Sequence, residues 1–96
     1  SRINHVHCKD IRKEVFINSI NKDLSFRNSF LDGVFTVPGD GCIDYSPLIK
    51  ILNNSKYEDW LIIEAEQDPK KANPLEYAKI GHNYLTKIVS ENGYSL

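Results

Sequence analysis

The sequence predicts an α/β fold made of two βα units, and three observations carry that reading. Trp60-Leu61-Ile62-Ile63-Glu64-Ala65-Glu66-Gln67-Asp68 opens as a short continuous apolar run and finishes acidic. Such a run fits a strand covered on both faces, as in a parallel sheet. Ile3-Asn4-His5-Val6-His7-Cys8 reads as a second strand, followed at once by Lys9 and Asp10. Behind the acidic run, Asn73-Pro74-Leu75-Glu76 combines an Asn cap, an early Pro and a Glu, the marks of a helix start. Two strands cannot make a closed parallel sheet, so the chain reads as a piece of a larger α/β fold.

The 96 residues allow one domain, spanning 1–96, near the lower size at which a core stabilises itself. A hydrophobic content of 41% argues against wholesale disorder. The 12 basic and 13 acidic residues leave a formal charge of −1 with no long run of one sign. Nucleic-acid and anionic-membrane binders need a concentrated basic face, so neither partner is expected. No apolar run is long enough to span a bilayer, and the first residues lack a signal-peptide core. Cys8 and Cys42 form no CxxC pair, and they read as reduced thiols of a cytoplasmic protein rather than a disulfide.

The elements follow in order. After the first strand, Ile11, Val15, Phe16 and Ile20 space a short helix from Asp10 to about Asn21. A second helix over Asp23–Leu31 takes Asp23 as its cap and Gly33 beyond its end. Val34-Phe35-Thr36-Val37 extends briefly before Pro38-Gly39-Asp40-Gly41 breaks regular structure. A third helix runs from about Ser46 to Asn53, with Ser46 as cap, Pro47 in the first turn and Leu48, Ile49, Ile51 and Leu52 as its buried stripe. The last helix reaches about Asn92, with Gly93 past its end. Its stripe is Ala78, Gly81, Leu85 and Ile88, with Tyr77 and Tyr84 at the margin and His82 on the surface.

Strand alternation sorts the chemistry. His5, His7 and Lys9 share one face of the first strand, and Trp60, Ile62, Glu64 and Glu66 one face of the second. Carboxylates at the end of a buried strand are costly unless something positive meets them. Ligands also bind at that end in parallel α/β folds. The plainer alternative is a strand that has reached solvent, its acids hydrated. The two glycines around Asp40 let backbone amides approach a partner, or simply make a tight turn.

Three stretches carry a family resemblance: His5 through Arg12, Val34 through Asp44, and Trp60 through Asp68 continuing over Lys71-Ala72-Asn73-Pro74-Leu75-Glu76-Tyr77-Ala78. They closely resemble the C-terminal part of the inosose dehydratases, members of the xylose-isomerase-like superfamily of TIM-barrel sugar isomerases and epimerases. The Glu64–Pro69 run is specific to the dehydratases, whereas the Pro-Gly-Asp-Gly loop is shared more widely. The resemblance implies that the two strands are the seventh and eighth of a (β/α)8 barrel that is incomplete in this chain. It implies a divalent metal, Mn2+ or Co2+, with His7 and Glu64 as two ligands and the others on strands this chain lacks. It also implies a cyclic polyol ketone as substrate, 2-keto-myo-inositol losing water to give a trihydroxycyclohexane-dione. Glu66 is then a candidate to orient the ligands, bind substrate hydroxyls or serve as the base, and Lys9 a candidate acid for the departing hydroxyl, although a salt bridge explains Lys9 equally well. Arg12 and Asp40 are candidate substrate-binding residues. The alternatives are an epimerase or isomerase of the same superfamily, and a non-catalytic fragment that self-associates or pairs with the missing barrel through its strand edges.

Overall fold

The computed structural model describes residues 2–65 and 67–94. Its elements run β1 (Val6–Cys8), β2 (Asp10–Ile11), α1 (Lys13–Asn21), α2 (Phe26–Leu31), β3 (Phe35–Thr36), α3 (Ser46–Asn54), β4 (Leu61–Ile63) and α4 (Pro74–Glu91). β1 and β4 pair in parallel, with Val6 opposite Leu61, His7 opposite Ile62 and Cys8 opposite Ile63. The Glu64 amide donates to the Cys8 carbonyl at 2.9 Å, carrying the ladder just past β4. β2 and β3 form a separate antiparallel pair, Asp10 opposite Thr36 and Ile11 opposite Phe35.

The core lies on one side of the β1–β4 pair. Cys8 packs there with Tyr45, Ile49, Leu52, Tyr57, Leu85 and Val89, and Val6, Leu61 and Ile63 close against them. Both helices of the two βα units therefore cover the same face. Burying a side chain such as Ile49 or Leu85 contributes on the order of 2 kcal/mol. At Gly81 the α4 backbone comes so close to Ile63 and Val37 that a Cβ would press on both. Burial pushes the Cys8 thiol pKa upward, which makes it a packing group rather than a thiolate.

Several expectations need correction. The first strand begins at Val6, and residues 2–5 are exposed outside it. Among the described residues of the Trp60–Asp68 run only Leu61–Ile63 form strand, and Trp60 is 82% exposed. Leu61 and Ile63 of β4 face the core that α3 and α4 close. α1 starts at Lys13 because Asp10 and Ile11 are taken up by pairing with β3. Ser25, not Asp23, caps α2, accepting from the Asn28 amide at 3.2 Å, while Asp23 sits at φ 50°. At α3 the Ser46 amide donates to Asp44 Oδ1 at 3.0 Å, and Ser46 Oγ accepts from Asn92, the residue that follows α4, at 3.0 Å. Ser46 thus joins two helices instead of capping one. Leu48 and Ile51 lie exposed, leaving Ile49 and Leu52 as the buried stripe of α3.

α4 follows its sequence signals closely. Asn73 Oδ1 accepts from the Leu75 and Glu76 amides, Pro74 opens the helix, and Gly93 follows at φ 98°. Val89 replaces Ala78 in the buried stripe, and His82 is exposed. Among the described residues, no helix is long and apolar enough to cross a membrane.

Candidate active site

The face of β1 and β4 turned away from the helices carries the polar groups. Parallel register brings side chains of neighbouring strands to the same side, so His7 and Lys9 meet Glu64 across the pair. His7 Nδ1 stands 2.5 Å from Glu64 Oε2, and Lys9 Nζ stands 3.3 Å from Glu64 Oε1. The carboxylate is held between two nitrogen groups. Hydrogen bonds from His7 and Lys9, with the Lys9 charge, push the Glu64 pKa below the usual carboxylate value. Lys9 Nζ also lies 4.5 Å over the Phe35 ring, and the His5 ring stacks obliquely 4.9 Å from His7. The cluster is open to solvent, with the side chains of His7 and Glu64 49% and 38% exposed.

A second network adjoins it. Arg12 Nη1 donates to the carbonyls of Gly33 at 2.8 Å and Phe35 at 3.1 Å. Arg12 Nη2 reaches Asp40 Oδ2 at 3.2 Å, Gln67 Oε1 at 2.9 Å and Tyr77 Oη at 3.2 Å. Thr36 Oγ1 donates to the same Asp40 oxygen at 2.7 Å. The two candidate substrate-binding residues therefore lie together, bound to each other. Glu66, the candidate base, lies outside the described residues.

Asp10 anchors the loop between them. It is 1% exposed, and its Oδ1 accepts from the amides of Ile11, Cys42 and Ile43 at 2.7, 3.1 and 3.1 Å. The Asp10 carboxylate fills the space beside Gly41, and Gly39 sits at φ 94° against Tyr84. Both glycines of the Pro-Gly-Asp-Gly loop are thus required, one for its φ and one for close approach. Sequence reasoning missed Asp10, Gln67 and Thr36. The acid directly after Lys9 was the available signal for Asp10; nothing local marks the other two.

Imidazole and carboxylate converging within hydrogen-bond distance are donors that suit a divalent metal ion. The pair fits as part of a ligand set. Among the described residues no group of three or more His, Cys, Asp or Glu side chains gathers to hold an ion. A cavity of about 740 Å3 opens between α3, α4 and the start of β4, but none of His7, Lys9 and Glu64 lines it.

The profile of the xylose isomerase-like TIM barrel family matches residues 1–88. The chain belongs to that family. An inosose dehydratase from Clostridium botulinum (strain Eklund 17B / Type B) is 55% identical over 89 residues, covering 93% of this chain and 30% of the relative. An inosose dehydratase from Mesomycoplasma hyopneumoniae (strain J) is 54% identical over 91 residues, covering 94% and 30%. The rhizopine catabolism protein MocC of Rhizobium meliloti is 47% identical over 95 residues, covering 99% and 29%. The chain spans just under a third of the length of these curated relatives.

Proposed function

We propose that this chain is the C-terminal part, β-strands seven and eight with their helices, of a TIM-barrel inosose dehydratase. In this reading β1 and β4 are those two strands, and residues 1–96 are part of one barrel domain. The observation that carries it is the convergence of His7 and Glu64 from neighbouring parallel strands, with Lys9 on the same carboxylate. Identity above 50% to two inosose dehydratases over nearly the whole chain supports the substrate class. The uncovered face of the pair then looks into the barrel, and the remaining ligands come from strands outside this chain.

His7 and Glu64 would hold a divalent cation, Mn2+ or Co2+, which as a Lewis acid supplies positive charge for the oxyanion that develops at the ketone. Glu66 takes the proton α to the ketone, and the electron pair of that C–H bond forms the new double bond. The β C–O bond breaks, and Lys9 gives the departing hydroxyl a proton so that it leaves as water. The enol tautomerises to the dione, and the proton on Glu66 passes back to Lys9 between turnovers. Arg12, Asp40 and the Gly39 and Gly41 amides form the pocket wall.

The test is turnover. The protein carrying this segment, supplied with Mn2+ or Co2+, should dehydrate inosose and leave ketohexoses unchanged. Epimerisation of ketohexoses without inosose dehydration would transfer the chain to the sugar isomerases and epimerases. β1 and β4 are each paired on one edge among the described residues, so the 96-residue segment alone should self-associate through those edges or pair with the rest of the barrel. A well-behaved monomer by mass in solution would count against that.

A further inference from the structure

Arg12 presents a planar fork of donors, and its two terminal nitrogens are already engaged. Its two terminal nitrogens carry four N–H groups, and they face five acceptors from this chain: the Gly33 and Phe35 carbonyls, Asp40, Gln67 and Tyr77. The guanidinium also lies 5.6 Å over the Tyr77 ring. A substrate hydroxyl approaching these two nitrogens would have to displace one of these partners. The acceptors come from five separate places: the turn before β3, β3 itself, the Pro-Gly-Asp-Gly loop, the segment after β4, and α4. Arg12 itself follows β2, just beyond His7 and Lys9, so its reach to Gln67 ties together the segments that leave the two site strands. Gln67 adjoins Glu66 in the chain, three residues past Glu64.

We infer that Arg12 is a positioning residue that acts through Gln67, fixing the segment after β4 instead of gripping substrate. The inference rests on the proposed dehydratase site and refines it. Losing a partner that orients a catalytic or ligating group typically costs about 10- to 100-fold in activity. That loss should fall on kcat, because what is disturbed is the alignment of groups at the reacting carbon. A direct contact to substrate hydroxyls made equally in ground and transition states would raise KM and spare kcat.

The test compares Arg12→Ala, Arg12→Lys, Gln67→Ala and the double variant Arg12→Ala/Gln67→Ala in the intact protein carrying this segment, with inosose as substrate. Both alanine variants should lower kcat by about 10-fold or more with KM within about 2-fold. The double variant should be little worse than either single one, as for residues sharing one interaction. Arg12→Lys should not rescue, since a point charge cannot serve both the carbonyls and Gln67. A raised KM with unchanged kcat, a silent Gln67→Ala, or additive losses would overturn the inference. Hydrogen exchange provides a readout that needs no turnover: Arg12→Ala should speed exchange over residues 67–72 while the Cys8–Ile63 ladder stays protected. Unchanged exchange over 67–72 overturns the Arg12 role whatever the enzyme's reaction; a wild type inactive on inosose with the expected exchange sinks only the dehydratase reading.

Discussion

The Asp10 carboxylate occupies the volume that a Cβ on Gly41 would need, and the Ile11 carbonyl closes the same space. Neither obstacle is the free end of a flexible side chain. Gly41→Ala should therefore destabilise the protein by about 1–3 kcal/mol, as overpacking does, read as a lower urea midpoint. Asp10→Ala should cost about 1–3 kcal/mol by leaving the amides of Ile11 and Ile43 without their acceptor. The two losses should be less than additive, since removing Asp10 also opens room beside Gly41. Full additivity would contradict the contact.

His7→Ala and Glu64→Ala should each abolish stoichiometric Mn2+ or Co2+ and turnover, measured by metal analysis of purified protein. Either variant retaining one equivalent of metal would remove that residue from the ligand set.

Lys9→Ala separates acid–base chemistry from binding. Turnover should fall by about 100-fold or more with the metal content unchanged. Loss of metal in this variant would mean that Lys9 serves mainly to orient Glu64, its partner at 3.3 Å.

Tyr45 predicts an alkaline limit. Burial, reinforced by the nearby Cys8 and Asp10, pushes its phenol from the ordinary 10.0 up to about 12, while its hydroxyl donates to the Lys9 carbonyl. The raised value means that folding favours the neutral phenol. That contribution is complete below pH 10 and is lost as pH rises through about 12. Tyr45→Phe should be less stable than wild type at neutral pH but lose less between pH 10 and 12, by urea midpoint. Parallel pH curves would refute the assignment.

Asn73 accepts from the Leu75 and Glu76 amides at the start of α4. Asn73→Ala should cost about 1 kcal/mol, and Asn73→Asp should cost little, in the same denaturation experiment.

Local chemistry was legible wherever neighbours in sequence decide it. Cap, proline and glycine mark the α4 ends because a helix terminus must satisfy its own orphan amides and carbonyls within a few residues. Alternation set His7 with Lys9, and Ile62 with Glu64, because a strand has a period of two. The same rules failed at Trp60 and Ile51, whose apolar side chains lie exposed. Hydrophobicity says that a residue prefers cover, whereas cover depends on which elements surround it.

Residue order alone was enough to read the α/β class, the end of each strand at which polar groups gather, and the faces of β1 and β4 that carry them. Which of those groups meet became visible in the folded chain. Arg12 finds Asp40, Gln67 and Tyr77 from 28, 55 and 65 positions away, and Asp10 finds the Cys42 and Ile43 amides across 32 and 33. Periodicity is a local property of the backbone. Contacts across such separations are set by the parallel register of β1 on β4 and by the loops that leave those strands.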